Sequence, residues 1–166
     1  VSLKLRPFQA HQDREILHQL RADIDLQHLL MAHPNPQAVV DVEVWVERRQ
    51  SQGWLGVIDI ENGTPIGFVQ LSDWHRIDRY AWLGIAIHPR WQGRGWGRLA
   101  MEALAWQAKG ELGLRKLLLQ VRVDNVEAVH LYGSLGYRKV GTFQHHYYDG
   151  SCYHDVLVME LVFDSP

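Results

Sequence analysis

The sequence predicts an α/β (α+β) domain: a mixed, mostly antiparallel central sheet flanked by helices, in the order βααβββαβαββ. Three observations carry this. Strand-like segments follow one another from 54 to 88, a glycine-rich turn at 89–95 leads from strand to helix, and two closing strands meet at Asp149-Gly150. The 166 residues fit a single domain, 1–166, and 46% hydrophobic residues suffice for a core without disulfide or metal staples.

Leu3, Leu5 and Pro7-Phe8 read as a first strand, and Ile16, Leu17 and Leu20 recur at helical spacing within 10–21. Residues 24–36 read as an irregular connection ending in the breaker Pro34-Asn35-Pro36. A second helix is expected over 36–50 on Val39, Val40, Val42 and Val46, with Gly53 as its C-cap. Strands follow at 54–60, 65–74 and 80–88, the first two joined by the Asn62-Gly63 turn and the last two by a polar loop, 75–79. A helix at 96–112 ends at Gly113, and a strand occupies 116–123. A short helix at 124–135 has Asp124 and Glu127 in capping-box spacing and Gly136 at its end. Strands at 137–148 and 153–162 complete the chain.

The net charge of −2 comes from scattered rather than clustered cations, which argues against a nucleic-acid partner. The single cysteine, Cys152, forms no intramolecular disulfide and points to a reducing, cytoplasmic compartment. Residues 1–7 lack a signal-peptide core, and no stretch approaches the roughly 20 apolar residues of a membrane span, so no membrane association is expected. The ten histidines show no His-x3-His spacing and no Cys-x2-Cys occurs, so no metal centre is expected.

The turn Pro89-Arg90-Trp91-Gln92-Gly93-Arg94-Gly95-Trp96-Gly97-Arg98 is the chemically informative segment. Three glycines in five residues allow close backbone approach, and a helix start aims free N–H groups and its positive dipole end at the same place. Arg94 and Arg98 add charge suited to phosphate. No Gly-Lys-Ser/Thr follows, which excludes a P-loop, and Arg98 stands where a dinucleotide fingerprint needs its third glycine. Taken alone, the turn reads equally as a tight helix start without a ligand.

Gln92-x-x-Gly95-x-Gly97 after Ile87-His88-Pro89 resembles the pyrophosphate loop of the GNAT superfamily of N-acetyltransferases. Asn125-x-x-Ala128-x-x-Leu131-Tyr132-x-x-x-Gly136-Tyr137 resembles its second signature, and the two stand in the right order. The style is that of the spermidine and ribosomal-protein N-acetyltransferases. The resemblance implies acetyl-CoA as co-substrate, no metal, and direct attack of a primary amine, of a small molecule or a peptide N-terminus, in a ternary complex. It implies pantetheine on the backbone of Ile85, Ala86 and Ile87, and pyrophosphate on the amides of Gln92, Gly93, Arg94, Gly95, Trp96, Gly97 and Arg98. Asn125 and Ala128 border the same ligand, although Asn125 also reads as a plain helix N-cap. A homodimer through the last strands is implied as well.

Tyr132 is the candidate general acid for the leaving thiolate, because a phenol near ~10 stays protonated at neutral pH. The other reading is a packed helix aromatic with a satisfied hydroxyl, and its place seven residues after Asn125 favours the acid role. The base is open: relatives carry a carboxylate where Trp82 stands, so Asp73, His75 and Tyr80 are the neighbouring candidates, with His75 the one of suitable pKa. Supplying a free alkylamine at pH 7 costs roughly 4 kcal/mol. Trp74 and Trp82, with Tyr148, Tyr153 and Asp155 on the last hairpin, are the acceptor-side candidates. The hairpin tyrosines also read as a simple cross-strand pair. The missing carboxylate leaves a second reading, a non-catalytic acyl-CoA-binding regulatory domain.

Overall fold

The computed structural model describes residues 2–34, 41–61 and 63–163. Its elements are β1 (Leu3–Arg6), α1 (Ala10–Ala22), α2 (Ile24–Leu29), α3 (Val42–Gln52), β2 (Trp54–Ile60), β3 (Thr64–His75), β4 (Tyr80–Ile87), a 3-10 turn (Pro89–Trp91), α4 (Trp96–Gly110), β5 (Lys116–Arg122), α5 (Val126–Ser134), β6 (Arg138–Tyr148) and β7 (Tyr153–Val162). They form one seven-stranded sheet, β1-β2-β3-β4-β5-β7-β6, in which β4–β5 alone is parallel.

Alternation along the strands divides the core between the two faces of the sheet. On one face Ala100, Met101, Leu104 and Ala108 of α4 pack on Ile58, Val69, Leu117 and Leu119. On the other, Leu17, Leu20, Trp45 and Val46 from α1 and α3 cover Leu55, Phe68 and Ala86.

Several expectations need correction. The irregular connection contains α2, whose Asp23 caps Leu26 N at 2.9 Å and whose buried Gln27 donates to Leu20 O at 2.9 Å. Six residues are too few to display a helical period. The second expected helix begins at Val42, capped by Asp41; its forecast portion 36–40, with Val39 and Val40, lies outside the described residues, as do Asn35-Pro36 and Asn62. The capping box is not formed. Asp124 is held by Arg122 at 2.6 and 2.9 Å, and Asn125 Oδ1 caps α5 by accepting from Ala128 N at 3.4 Å.

Gly53 does end its helix, but for a reason other than a left-handed cap: its φ of 179° is extended backbone. A Cβ there would lie 1.9 Å from Leu71 O, so glycine lets α3 enter β2 directly against β3. Gly53→Ala is expected to destabilise the fold by about 3 kcal/mol, the upper end of ordinary overpacking. Urea unfolding checks this, and a loss under 1 kcal/mol would show that β3 yields there.

Candidate active site

The site arises where the sheet comes apart. β4 and β5 pair through Tyr80–Lys116, Ala81–Leu117 and Trp82–Leu118, and no further. Beyond Trp82 the edge of β4 that faces β5 has no strand partner among the described residues, while its other edge stays paired to β3 up to Ile87–Gly67. A cavity of about 260 Å³ opens in the divergence, lined by Leu83, Gly84 and Ile85 on one side, Leu119, Gln120 and Val121 on the other, and Asn125 and Tyr132 from the α5 end. Ala86 faces the α1–α3 core and Ile87 the α4 core, so neither side chain enters the cavity.

The chain leaves β4 through the 3-10 turn, where His88 Nδ1 accepts from Arg90 N at 3.2 Å. Gln92 differs from expectation. Its amide closes that turn on Pro89 O at 3.2 Å, and its side-chain amide donates to Ile87 O at 2.8 Å, tying the loop to the end of β4. Gly95, the N-cap of α4, is left-handed at φ 82° and offers no side-chain cap. Among the described residues, the N–H groups of 93–98 reach no protein acceptor, leaving a row of donors at the positive end of a 15-residue helix. A Cβ on Gly97 would lie 3.3 Å from Leu131 Cδ2, so glycine sets how closely α4 approaches α5. Trp96 is buried in the core and contributes its backbone only. The Arg94 guanidinium rests over Trp91 at 5.3 Å, and Arg98 is engaged by Ser134 Oγ at 2.7 Å and Glu102 at 3.8 Å.

Tyr132 is buried, lines the cavity and lies 6.0 Å, centroid to centroid, from Tyr137. Burial pushes its phenol up to about 12. Ala128 packs against the core beside it.

The acceptor end is closed by residues with no shared motif. Leu29, Leu30 and Met31 at the end of α2 face Gln70, Ser72, Asp73 and Trp82. Asp73, in a left-handed conformation (φ 48°) at the irregularity between Ser72 and His75, is the one carboxylate among the described residues of this lining. Gln70 lies over Gly84, and its Oε1 is buried with no donor among the described residues. The Tyr147 hydroxyl holds the α2 side by donating to Ala32 O, with His28 Nδ1 at 2.8 Å.

Other sequence candidates lie outside the cavity lining. His75 stacks on Tyr80 at 5.3 Å, and its Nδ1 accepts from Asp78 N at 3.0 Å. Trp74 carries Arg76 on its face at 4.4 Å. Tyr148 and Tyr153 form a cross-strand pair 4.9 Å apart, and Asp155 accepts from His145 N at 2.8 Å. Sequence reasoning passed over Gln70 and Gln120, although an amide inside an otherwise apolar strand is itself a signal.

Residues 17–137 match the acetyltransferase (GNAT) family model. Spermidine N(1)-acetyltransferase of Escherichia coli K12 is 26% identical over 158 residues, 95% of this chain and 84% of that protein. The ribosomal protein bS18 alanine N-acetyltransferase of Haemophilus influenzae is 33% identical over 102 residues, 61% and 67% of the two chains. The crystal structure of Vibrio cholerae spermidine N-acetyltransferase in complex with CoA and spermine matches with a TM-score of 0.88 at 25% identity, over 96% of this chain and 95% of that one.

Proposed function

Since the chain belongs to the acetyltransferase (GNAT) family and is an acetyl-CoA-dependent amine N-acetyltransferase, we propose that its acceptor is a small primary amine with an apolar flank, attacking directly in the cleft between β4 and β5. The observation that carries this is the parting of the two strands beyond Trp82 and Leu118, over a cavity that reaches Tyr132. Pyrophosphate lies on the free amides of 93–98, with Arg94 alongside, and pantetheine passes along the open edge of β4 at 85–87. Asn125 and Ala128 border it from α5.

The amine arrives past Leu29, Leu30 and Met31 and meets Asp73, which takes its proton directly or through one water. Gln70 Oε1 accepts a hydrogen bond from the amine as it loses that proton. The nitrogen attacks the thioester carbonyl and forms the C–N bond. The C–S bond then breaks, Tyr132 donates its proton to the sulfur, and the second amine proton, shed as the amide forms, passes through water to restore the phenol. Family membership decides for catalysis over the non-catalytic reading that Trp82 had left open.

Among the described residues, a lining with one carboxylate and several apolar side chains supports a monoamine over a polyamine, which would ask for an acidic group at each ammonium. A thiol-release assay with acetyl-CoA across monoamines, amino acids, polyamines and N-terminal peptides tests this. Asp73→Asn should lower kcat/KM for the best amine by about tenfold to a hundredfold and leave CoA binding intact. Equal rates for the variant would remove Asp73 from the mechanism, and a strong polyamine preference would overturn the acceptor class. A homodimer through the last strands is supported by the exposed eleven-residue edge strand β6. A cytoplasmic location is supported by the lone cysteine; no helix among the described residues is long and apolar enough to cross a membrane.

A further inference from the structure

We propose that the hairpin between β6 and β7 is a zinc site, with Asp149, Cys152 and His154 as ligands, separate from the acetyl-transfer chemistry. One donor atom from each lies within 4.8 Å of the others. Cys152 Sγ is 3.4 Å from His154 Nε2 and 3.8 Å from Asp149 Oδ2, and Nε2 is 2.7 Å from that oxygen. Tetrahedral zinc with bonds of about 2.0–2.3 Å separates such ligands by roughly 3.3–3.6 Å. The sulfur–imidazole distance falls in this range, the sulfur–carboxylate distance closes by about 0.2 Å, and the imidazole–carboxylate pair opens by about 0.6 Å to admit the ion.

The surroundings fit a metal more closely than a simple turn would require. Asp149 Oδ1 is fully used: it accepts from Ser151 N at 2.8 Å, Ser151 Oγ at 2.9 Å and Cys152 N at 2.9 Å. That aims Oδ2 at the cysteine and the histidine. On the far side of the imidazole, Asp124 Oδ2 lies 3.4 Å from His154 Nδ1, itself gripped by Arg122 at 2.6 Å. A carboxylate behind the histidine fixes the proton on Nδ1 and turns Nε2 toward the metal. Thiolate, imidazole and carboxylate together favour zinc over magnesium or calcium, and exposure of Cys152 leaves the fourth position to water. On binding, the thiol S–H breaks and its proton goes to solvent, the imidazole proton passes through water from Nε2, where it bonds Asp149, to Nδ1, where Asp124 accepts it, and S–Zn, N–Zn and O–Zn bonds form. The ion thereby clamps the hairpin at the β5–α5 junction, next to the cap Asn125.

Cobalt(II) provides the test, because cobalt bound to thiolate absorbs in the near ultraviolet and Cys152 is the only cysteine in the chain. The full chain, kept reduced with a phosphine, should develop this band with one equivalent of cobalt and lose it to one equivalent of zinc. Cys152→Ser should abolish the band. Asp149→Asn, which keeps the turn acceptor but not the anion, and His154→Ala should each weaken zinc more than tenfold, and Asp124→Asn by about tenfold. Thermal protection by CoA verifies that each variant is folded. Absence of the band in the wild type overturns the site. So do wild-type affinities in Asp149→Asn and His154→Ala, which would mean an exposed thiol acting alone.

Discussion

Tyr132→Phe is expected to lower kcat by about 10²- to 10⁴-fold while CoA binding changes little. The ring is buried, and phenylalanine preserves its packing beside Tyr137 and removes the hydroxyl alone. A phenol pushed up to about 12 is a weaker acid than a free one, whereas an ordinary thiol sits near ~8.5. The mismatch narrows at the moment of transfer, because the CoA thiolate leaves into the same apolar cavity and its proton affinity rises with burial too. The proton then moves between two anions that are both poorly solvated.

The sign of the pH effect follows from the same burial. The folded value lies above the unfolded one, so the stability associated with the neutral phenol is complete below about pH 10 and is lost as pH rises through about 12. Tyr137 is raised in the same direction, by burial first and then by the charge Tyr132 would carry. Turnover should therefore show no loss from phenol ionisation between pH 8 and 10, and Tyr132→Phe should unfold at a higher alkaline pH than the wild type. Steady-state kinetics and alkaline unfolding measure both. A kcat within threefold of wild type would remove the acid role proposed for Tyr132.

Arg6→Ala should destabilise the protein by about 3–5 kcal/mol, a large part of the roughly 5–15 kcal/mol that holds a domain of this kind together. Arg6 joins β1, α1 and β2 through one guanidinium. It forks onto Asp13 with two 2.8 Å bonds and donates through Nε to Asp59. Asp13 is 0% exposed and Asp59 2% exposed. Asp13 also accepts from Gln9 N at 2.7 Å, and Asp59 from Gly63 N at 2.9 Å, so both carboxylates anchor backbone as well. Asp13, then burial acting the other way, then Asp59 set the balance that raises the Arg6 pKa. Removing the cation leaves two buried anions uncompensated. Arg6→Lys should recover only part of the loss, since a single ammonium cannot reproduce a planar fork. Urea unfolding of the two variants gives the numbers, and a cost under 1 kcal/mol for Arg6→Ala would mean that water reaches Asp13 and Asp59.

How much of this was legible beforehand depended on how local each feature is. The order of the strands was readable from alternation and turn residues, and ten of the elements lie close to where the sequence puts them. α2 escaped because six residues carry no period. The capping assignment at 124–127 failed because Arg122, two residues away in sequence, competes for Asp124 at 2.6 Å. His75 was an attractive base on its pKa class, but its ring is engaged by Tyr80 and Asp78 N. Asp73 reaches the cavity because the backbone turns left-handed at that residue, a local distortion with no marker in the sequence.

The donor half proposed for the site was therefore legible in the sequence alone. Consecutive amides at 93–98, glycines that permit the approach, and Asn125 and Tyr132 seven residues apart on one short helix are all written in contiguous stretches. The acceptor half proposed for it came only from the tertiary structure. Residues 29–31, 70–73, 82 and 120 are strangers in the chain, and they meet because β4 and β5 stop pairing at Trp82 and Leu118 and α2 folds over the gap. Backbone chemistry at a helix start is a local property of the chain. A cleft between strands belongs to the sheet, and its lining follows from long-range register and packing.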